Sequence, residues 1–289
     1  MKGMIVKTMG VFAAAALTPA VCHAGAWTLK QGELYQKLSY YYYYSDENFG
    51  SHGGEGWTPF EYPFSSHEVT WYGEYGVTDR ITLIASLPHK NMYWGKNRRE
   101  DDKTLKYSDQ ETLGDLEFGA RYGFLTGATA LSAQFLVKSE VLYDADEEIM
   151  PGNNQTDYEL RLLAGRSLWP YGYVNLEAGY RWRTGDPADE IRYVAEYGID
   201  WWRLYAQAKL SGILSAGNGD RPSRTLDGPF KLNPSLGVEY DLGTMELILG
   251  AKVGMGFSVE GFYRGDLYGE SIAKGETWGI SLVHFWGKR

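Results

Sequence analysis

The chain has 289 residues, of which 28 are Lys or Arg and 37 are Asp or Glu, so its net charge at pH 7 is −9. An acidic chain of this kind is a poor candidate for binding nucleic acid. Its single cysteine, Cys22, excludes a disulfide framework and a metal site built from several thiolates.

The first 24 residues have the pattern of a secretory signal peptide. Lys2 and Lys7 precede an apolar stretch at 11–17, and small residues follow up to the expected cleavage after Ala24. The apolar stretch is shorter than the roughly 20 residues that a membrane-spanning helix needs. Cleavage would remove two bases and no acid, so the exported chain would hold 26 bases against 37 acids, a net charge of −11, and no cysteine.

Beyond residue 24, apolar and polar residues alternate with a period of two, which predicts β-strands rather than helices. In chain order, we expect twelve strands at 33–44, 66–76, 80–88, 113–124, 129–143, 156–168, 172–183, 189–198, 202–211, 230–241, 245–256 and 276–286. Pro234 lies inside the tenth of these and cannot donate to a ladder, so that strand begins later or contains a bulge.

The predicted connections alternate between short and long. Tight turns are expected at 77–79, around Thr126 and Gly127, around Trp169 and Pro170, around Asp200 and around Gly243. Long polar connections are expected at 45–65, 88–112, 212–229 and 257–275. Outer-membrane barrels have this asymmetry, with short periplasmic turns, long external loops and an even number of strands.

Each predicted strand has one apolar face and one charged face. Leu38, Leu83 and Leu160 are typical of the apolar face, where Arg166 is the only charge. The charged face holds eleven bases, namely Lys37, Arg121, Lys138, Arg161, Arg181, Arg183, Arg192, Arg203, Lys209, Lys231 and Lys252. It also holds thirteen acids, namely Glu33, Glu68, Glu74, Asp115, Glu117, Glu140, Asp157, Glu159, Glu177, Glu190, Glu196, Glu239 and Glu246.

Parity alone does not distinguish a soluble sandwich from a barrel, because either could bury one face and expose the other. The signal peptide, the unequal loops and the aromatic strand ends, within a composition of 23 Tyr and 10 Trp, favour a barrel. We therefore expect an all-β chain whose residues 25–289 form a transmembrane antiparallel up-and-down barrel of about twelve strands. This barrel would contact lipid and lipopolysaccharide in the outer membrane of a Gram-negative bacterium.

The last strand alternates up to Trp286, an ending that resembles the signal by which the barrel-insertion machinery recognises its clients. Export would follow the general secretory pathway, because the leader is of the secretory type.

Three stretches together resemble a known family: 76–83 (GVTDRITL) continuing to Leu87 and Pro88, 113–122 (LGDLEFGARY) and 157–165 (DYELRLLAG). They are similar to the outer-membrane barrel proteins named for the meta pathway of phenol degradation. The resemblance implies an outer-membrane location and a role in transport. It supplies no functional residues for this chain.

The charged face would line a polar lumen. Barrels of eight strands are filled by side chains and those of 16 to 18 strands leave an open channel, so twelve strands predict a narrow pore. The near balance of signs argues against strong anion selectivity, and the slight acidic excess favours cations or neutral solutes. Six tyrosines on the charged face could stack on sugar or aromatic rings, or could serve packing alone: Tyr35, Tyr41, Tyr43, Tyr72, Tyr173 and Tyr205.

The leading hypothesis is a channel for small polar or aromatic solutes, with no cofactor and no resident metal. Its main alternative is a non-conducting barrel that supports the export or assembly of surface polymer. A lipid hydrolase would need an orienting group beside His67 and Ser65, and none is evident. The acidic segment at 144–148 could hold a divalent cation, although a solvated loop is the more common explanation.

Overall fold

The computed structural model describes residues 25–50, 55–56, 64–96, 106–143, 149, 151–152, 154–185, 187–219 and 239–287. The predicted signal peptide, the acidic segment at 144–148 and Lys231 lie outside these residues. The strands are β1 Leu34–Phe49, β2 Glu55–Gly56, β3 Phe64–Thr78, β4 Ile81–Lys96, β5 Lys106–Leu113, β6 Leu116–Leu125, β7 Thr129–Ser139, β8 Asp157–Ser167, β9 Tyr173–Arg183, β10 Glu190–Trp201, β11 Leu204–Ser215, β12 Asp241–Gly254, β13 Phe257–Glu270 and β14 Ile272–Trp286.

The strands form one closed antiparallel barrel, because β14 pairs with β1 from Leu34↔Trp286 to Phe49↔Ile272. The short β2 is a spur on the end of β1, and β5 and β6 are consecutive segments that both pair with β4. The barrel wall therefore has twelve strands when β5 and β6 are counted as one. The predicted all-β barrel of about twelve strands is confirmed.

The interruption between β5 and β6 lies opposite Pro88 of β4. Proline has no N–H to donate, and Pro88 has no partner residue on that side, where pairing passes from Ser86↔Glu117 to His89↔Leu113. Gly114 fills the break and donates its N–H to the Pro88 carbonyl at 2.9 Å. The expected end of this strand at Pro88 was wrong, since β4 continues to Lys96.

Three further predictions were wrong. The stretch at 257–275 was expected to be a loop, but most of it is β13 and the start of β14, and Gly243, expected in a turn, lies inside β12. No strand lies between β11 and β12, where one was expected at 230–241, because these two strands pair directly. Residues 230–238 lie outside the described part of the chain, and the neighbouring Tyr240 is buried rather than facing outward.

The two ends of the barrel differ. At one end, here called the short-turn end, the connections are 79–80, 126–128, 168–172, 202–203 and 255–256. At the other, the long-loop end, they are 50–63, 97–105, 140–156, 184–189, 216–240 and the single residue Ser271. Both described chain ends lie at the short-turn end, since Leu34 pairs with Trp286.

The outer surface of the wall is apolar. Leu38, Leu83 and Leu160 are each about half exposed, whereas Glu159, next to Leu160 in β8, is 1% exposed. Large aromatic side chains are exposed around the short-turn end, namely Trp169, Tyr171, Trp201, Trp202 and Trp286. An apolar band bordered by aromatic residues is the surface that a lipid bilayer requires of a barrel.

Candidate functional site: the charged lumen

Residues 25–33 form a segment inside the short-turn end of the barrel. The N–H of Ala26 donates to Asn175 Oδ1 on β9 at 3.0 Å, and the N–H of Leu29 donates to Thr82 Oγ1 on β4 at 2.9 Å. Both Ala26 and Leu29 are buried. In the twelve-stranded wall, β9 lies six strand positions from β1 in either direction and is therefore opposite it. This N-terminal segment thus crosses the opening before it enters the wall at β1.

A buried ion pair fixes the N-terminal segment from the lumen side. Arg121 on β6 donates to both oxygens of Glu74 on β3, at 3.1 and 3.2 Å, and to Gln134 on β7. The same guanidinium donates to the carbonyl of Trp27 at 3.0 Å. Since β4 separates β3 from β6, this contact exists only inside the barrel.

Glu159 is the centre of a second group of charges. Its carboxylate accepts hydrogen bonds from Arg161 at 2.7 Å, from Arg181 at 2.8 Å and from Arg192 at 3.1 Å. Arg161 also donates to Glu177, and Arg181 also donates to Glu117. Three guanidinium groups therefore neutralise one carboxylate that is almost fully removed from solvent.

The remaining predicted lumen charges occupy different positions. Paired inside the barrel are Lys37 with Glu260 at 2.6 Å, Lys90 with Glu68 at 3.8 Å, Lys138 with Asp115 at 3.3 Å and Asp157 at 2.8 Å, Arg183 with Glu190 at 3.4 Å, Lys209 with Glu246 at 3.3 Å, and Lys252 with Asp200. Glu196 accepts a hydrogen bond from the hydroxyl of Tyr173.

Four predicted charges lie outside the strands. Arg203 is in the turn at 202–203, where its guanidinium lies 5.1 Å from the Trp202 ring. Glu33 precedes β1, and Glu140 follows β7 and accepts from Thr156 at 2.8 Å. Glu239 is a half-buried residue two positions before β12.

The predicted stacking tyrosines are mostly engaged with the protein itself. The hydroxyl of Tyr72 donates to Glu74, and that of Tyr205 donates to Glu260 at 2.7 Å. Tyr41 packs on Phe262 with ring centroids 4.9 Å apart. Tyr43 differs, because its side chain lines an interior cavity.

This cavity has a volume of about 430 Å³ and lies in the lumen on the long-loop side of Arg161. Five bases line it, namely Lys90, Arg161, Arg192, Lys209 and Arg264, together with two acids, Glu68 and Asp266. Its apolar lining comes mainly from Tyr43, Phe64, Met92, Ile213, Leu242 and Ile272. The volume falls within the range of small-molecule sites in proteins.

Part of the connection at 140–156 covers the cavity from the long-loop end. Ile149 is fully buried against Phe64 and Met92, and its N–H donates to Gln110 Oε1 at 2.9 Å. The ammonium group of Lys90 donates to the Pro151 carbonyl at 2.8 Å. Nearby, Tyr143 donates to Asp115, and burial together with this hydrogen bond holds the pKa of Tyr143 well above its ordinary value.

Solved structures show the same architecture. An outer-membrane channel from Pseudomonas putida F1 has 16% sequence identity and a TM-score of 0.66, over 90% of this chain and 98% of that one. The KdgM porin has 9% identity and a TM-score of 0.50, over 87% of this chain and 99% of that one. This chain has the fold of an outer-membrane β-barrel. No protein-family model and no curated protein sequence matches it, so the resemblance to the meta-pathway family stays a prediction.

Several lumen charges were missed by the sequence analysis. Glu260, Arg264 and Asp266 lie on β13, which was taken for a loop, and Lys90 lies on the part of β4 beyond Pro88. Glu260, Arg264 and Asp266 are an even number of residues apart, and this spacing could have shown that they lie on one face of a strand.

His67, the candidate for hydrolase chemistry, lies on the outward face of β3. Its Nδ1 is 2.6 Å from the hydroxyl of Tyr40, and its ring packs against Tyr42 and Tyr93. Within the described ranges, no cluster of three or more His, Cys, Asp or Glu side chains is arranged to hold a metal ion.

Proposed function

We propose that this chain is an outer-membrane channel for small polar or aromatic solutes, which cross through a narrow charged lumen. The observation that carries the proposal is the interior cavity of about 430 Å³, lined by charged and aromatic side chains, within a wall whose outer surface is apolar. A barrel with only a structural role has no need of a polar interior space of this size.

The difference in loop length between the two ends indicates how the barrel is oriented in the membrane. Long external loops and short periplasmic turns are general for such barrels, so the long-loop end faces outward and both chain ends face the periplasm. The expected signal peptide at 1–24 supports secretory export of residues 25–289, and the alternating strand ending at Trp286 supports recognition by the barrel-insertion machinery. Membrane lipid and lipopolysaccharide are the surroundings that the apolar band fits.

The lumen limits cargo to small solutes. The N-terminal segment and the Glu74–Arg121 pair occupy the short-turn end. The group around Glu159 lies in the lumen further toward the long-loop end. Solutes of a few to about a dozen heavy atoms fit the cavity, whereas folded or bulky molecules do not. The proposal assigns no catalytic role to any residue.

One observation favours the rival, a non-conducting barrel for the export or assembly of surface polymer. Ile149 and Pro151 cover the cavity at the long-loop end, while residues 25–33 cross the short-turn end. Both covers would have to leave a path for a solute.

Planar-bilayer recording of the purified protein separates the two candidates. We expect discrete steps of small conductance in 1 M KCl, because charged side chains line a lumen that is narrowed at both ends. A flat trace at all voltages, from protein that migrates as a folded barrel on an unboiled gel, would contradict the channel.

A further inference from the structure

The surface of the cavity is more basic than the chain as a whole. Five bases and two acids line it, a difference of three positive charges, although the whole chain carries −9. Glu68, which pairs with Lys90, is part of the lining, but the carboxylates that pair with Arg192 and Lys209 are not: Glu159 is 1% exposed, and neither it nor Glu246 lines the cavity. A solute in the cavity therefore meets mainly cationic groups.

Arg264 is the lining base for which the described residues show no carboxylate partner. Its Nη2 donates to Thr277 Oγ1 at 3.1 Å, and among the described residues no carboxylate oxygen lies within 4 Å of its guanidinium nitrogens. Arg161, by contrast, is held by two carboxylates.

The acids nearest Arg264 are engaged elsewhere. Glu246, which faces it across β12 and β13, is bound by Lys209. Asp266, two residues along the same strand, accepts the N–H of Gly275 at 2.8 Å. Apart from the bond to Thr277, no described group accepts a hydrogen bond from the Arg264 guanidinium, so donors remain for a solute in the cavity that it lines.

The rest of the lining is apolar enough to accept an uncharged body. Phe64 and Met92 are buried at one side of the cavity, where Tyr43 packs against them. Ile272 and Leu242 belong to a second buried cluster that also borders the cavity. A charged head and an apolar body would each find a matching surface.

We propose that this cavity is a binding site for a small carboxylate with an apolar body, and that the guanidinium of Arg264 binds the carboxylate. This inference rests on the proposed function, because it names the class of solute that the channel takes. It reverses the preference for cations or neutral solutes that the slight acidic excess of the predicted lumen face favours.

The test compares benzoate with benzyl alcohol, a neutral molecule of similar size, on the wild type, Arg264→Gln and Arg166→Gln. Arg166 gives a matched loss of charge outside the lumen, since it lies on the outward face near the end of β8. Binding to the detergent-solubilised protein is measured by calorimetry, and block of the KCl current is measured in bilayers.

Wild type and Arg166→Gln should bind benzoate with the same dissociation constant, and Arg264→Gln should raise it about tenfold, as expected for loss of a charge-assisted hydrogen bond. Benzyl alcohol should bind weakly to all three proteins. Equal affinity for the two probes, or benzoate binding unchanged in Arg264→Gln, would overturn the assignment. Benzoate binding that depends on Arg264 in a protein without conductance would support the site and reject the channel.

Discussion

Arg121 connects three parts of the short-turn end: the carboxylate of Glu74, the amide of Gln134 and the carbonyl of Trp27. The charges of Arg121 and Glu74 are both almost fully buried. Burial of two charges is costly, and the pair persists only because its members satisfy each other. The stability of this end therefore depends on keeping the two charges together.

Arg121→Gln should lower the free energy of unfolding by about 3 to 5 kcal/mol, because the Glu74 carboxylate would be left buried without its cation. The measurement is urea unfolding in detergent micelles, followed by tryptophan fluorescence. Arg80→Gln, a change of the same charge in an exposed turn, should stay within about 0.5 kcal/mol of wild type. The double variant Glu74→Gln with Arg121→Gln should recover part of the loss, and a loss equal to that of Arg121→Gln alone would argue against the pair.

At the scale of elements, the N-terminal segment at 25–33 is held by separate hydrogen bonds to the wall rather than by a continuous strand ladder. Its described contacts include a side-chain hydrogen bond from Trp27 to the Gly127 carbonyl and an edge contact of Trp27 with Tyr173. Separate hydrogen bonds of this kind open more readily than a paired ladder, so the segment is displaced from the lumen more readily than a strand of the wall.

Deleting residues 27–30 should increase the single-channel conductance, since the shortened segment no longer reaches from β1 to Asn175. Gly25 and Ala26 stay in place, so the expected cleavage site for the signal peptide is kept. Single-channel recording in KCl measures the effect, with Arg80→Gln as a control at the same end. An unchanged conductance in the deletion variant would show that residues 27–30 do not narrow the path.

A strand can be predicted from the sequence only where its outward face carries apolar side chains that alternate with polar ones. β8 was predicted within one residue at each end, because Leu160 and Leu162 alternate with Glu159 and Arg161. β13 was missed because Gly261 and Gly265 take outward positions where apolar side chains would have marked a strand. The opposite error came from the alternation that ends at Tyr240, whose ring is buried against Phe49 and Ile272 at the long-loop end.

At the scale of the whole molecule, the architecture follows from period-two alternation and loop lengths, both of which are local in sequence. The lumen does not follow from them. Arg181 forms an ion pair with Glu117 although two strands of the wall lie between theirs, and Lys37 forms one with Glu260 across one intervening strand. Such pairs depend on the register of every strand in the closed wall, so sequence parity predicts that the charges of a strand share a face but not which partners they meet or that a basic cavity forms.

A membrane channel of this kind requires that one face of each strand in the wall contacts lipid and that the other face contacts water. The exported chain is expected to lack cysteine, so single cysteines can carry a fluorescent label without background. Leu210 and Ser211 are neighbours in β11; Leu210 is exposed on the outer surface, and Ser211 lines the cavity.

The most direct measurement is the quenching of bimane attached to Leu210→Cys or to Ser211→Cys in proteoliposomes. We predict that brominated lipid quenches the label at 210 and leaves the label at 211 bright, whereas iodide in the aqueous phase quenches the label at 211. Quenching of both labels by the same agent, or the reverse assignment, would contradict the account.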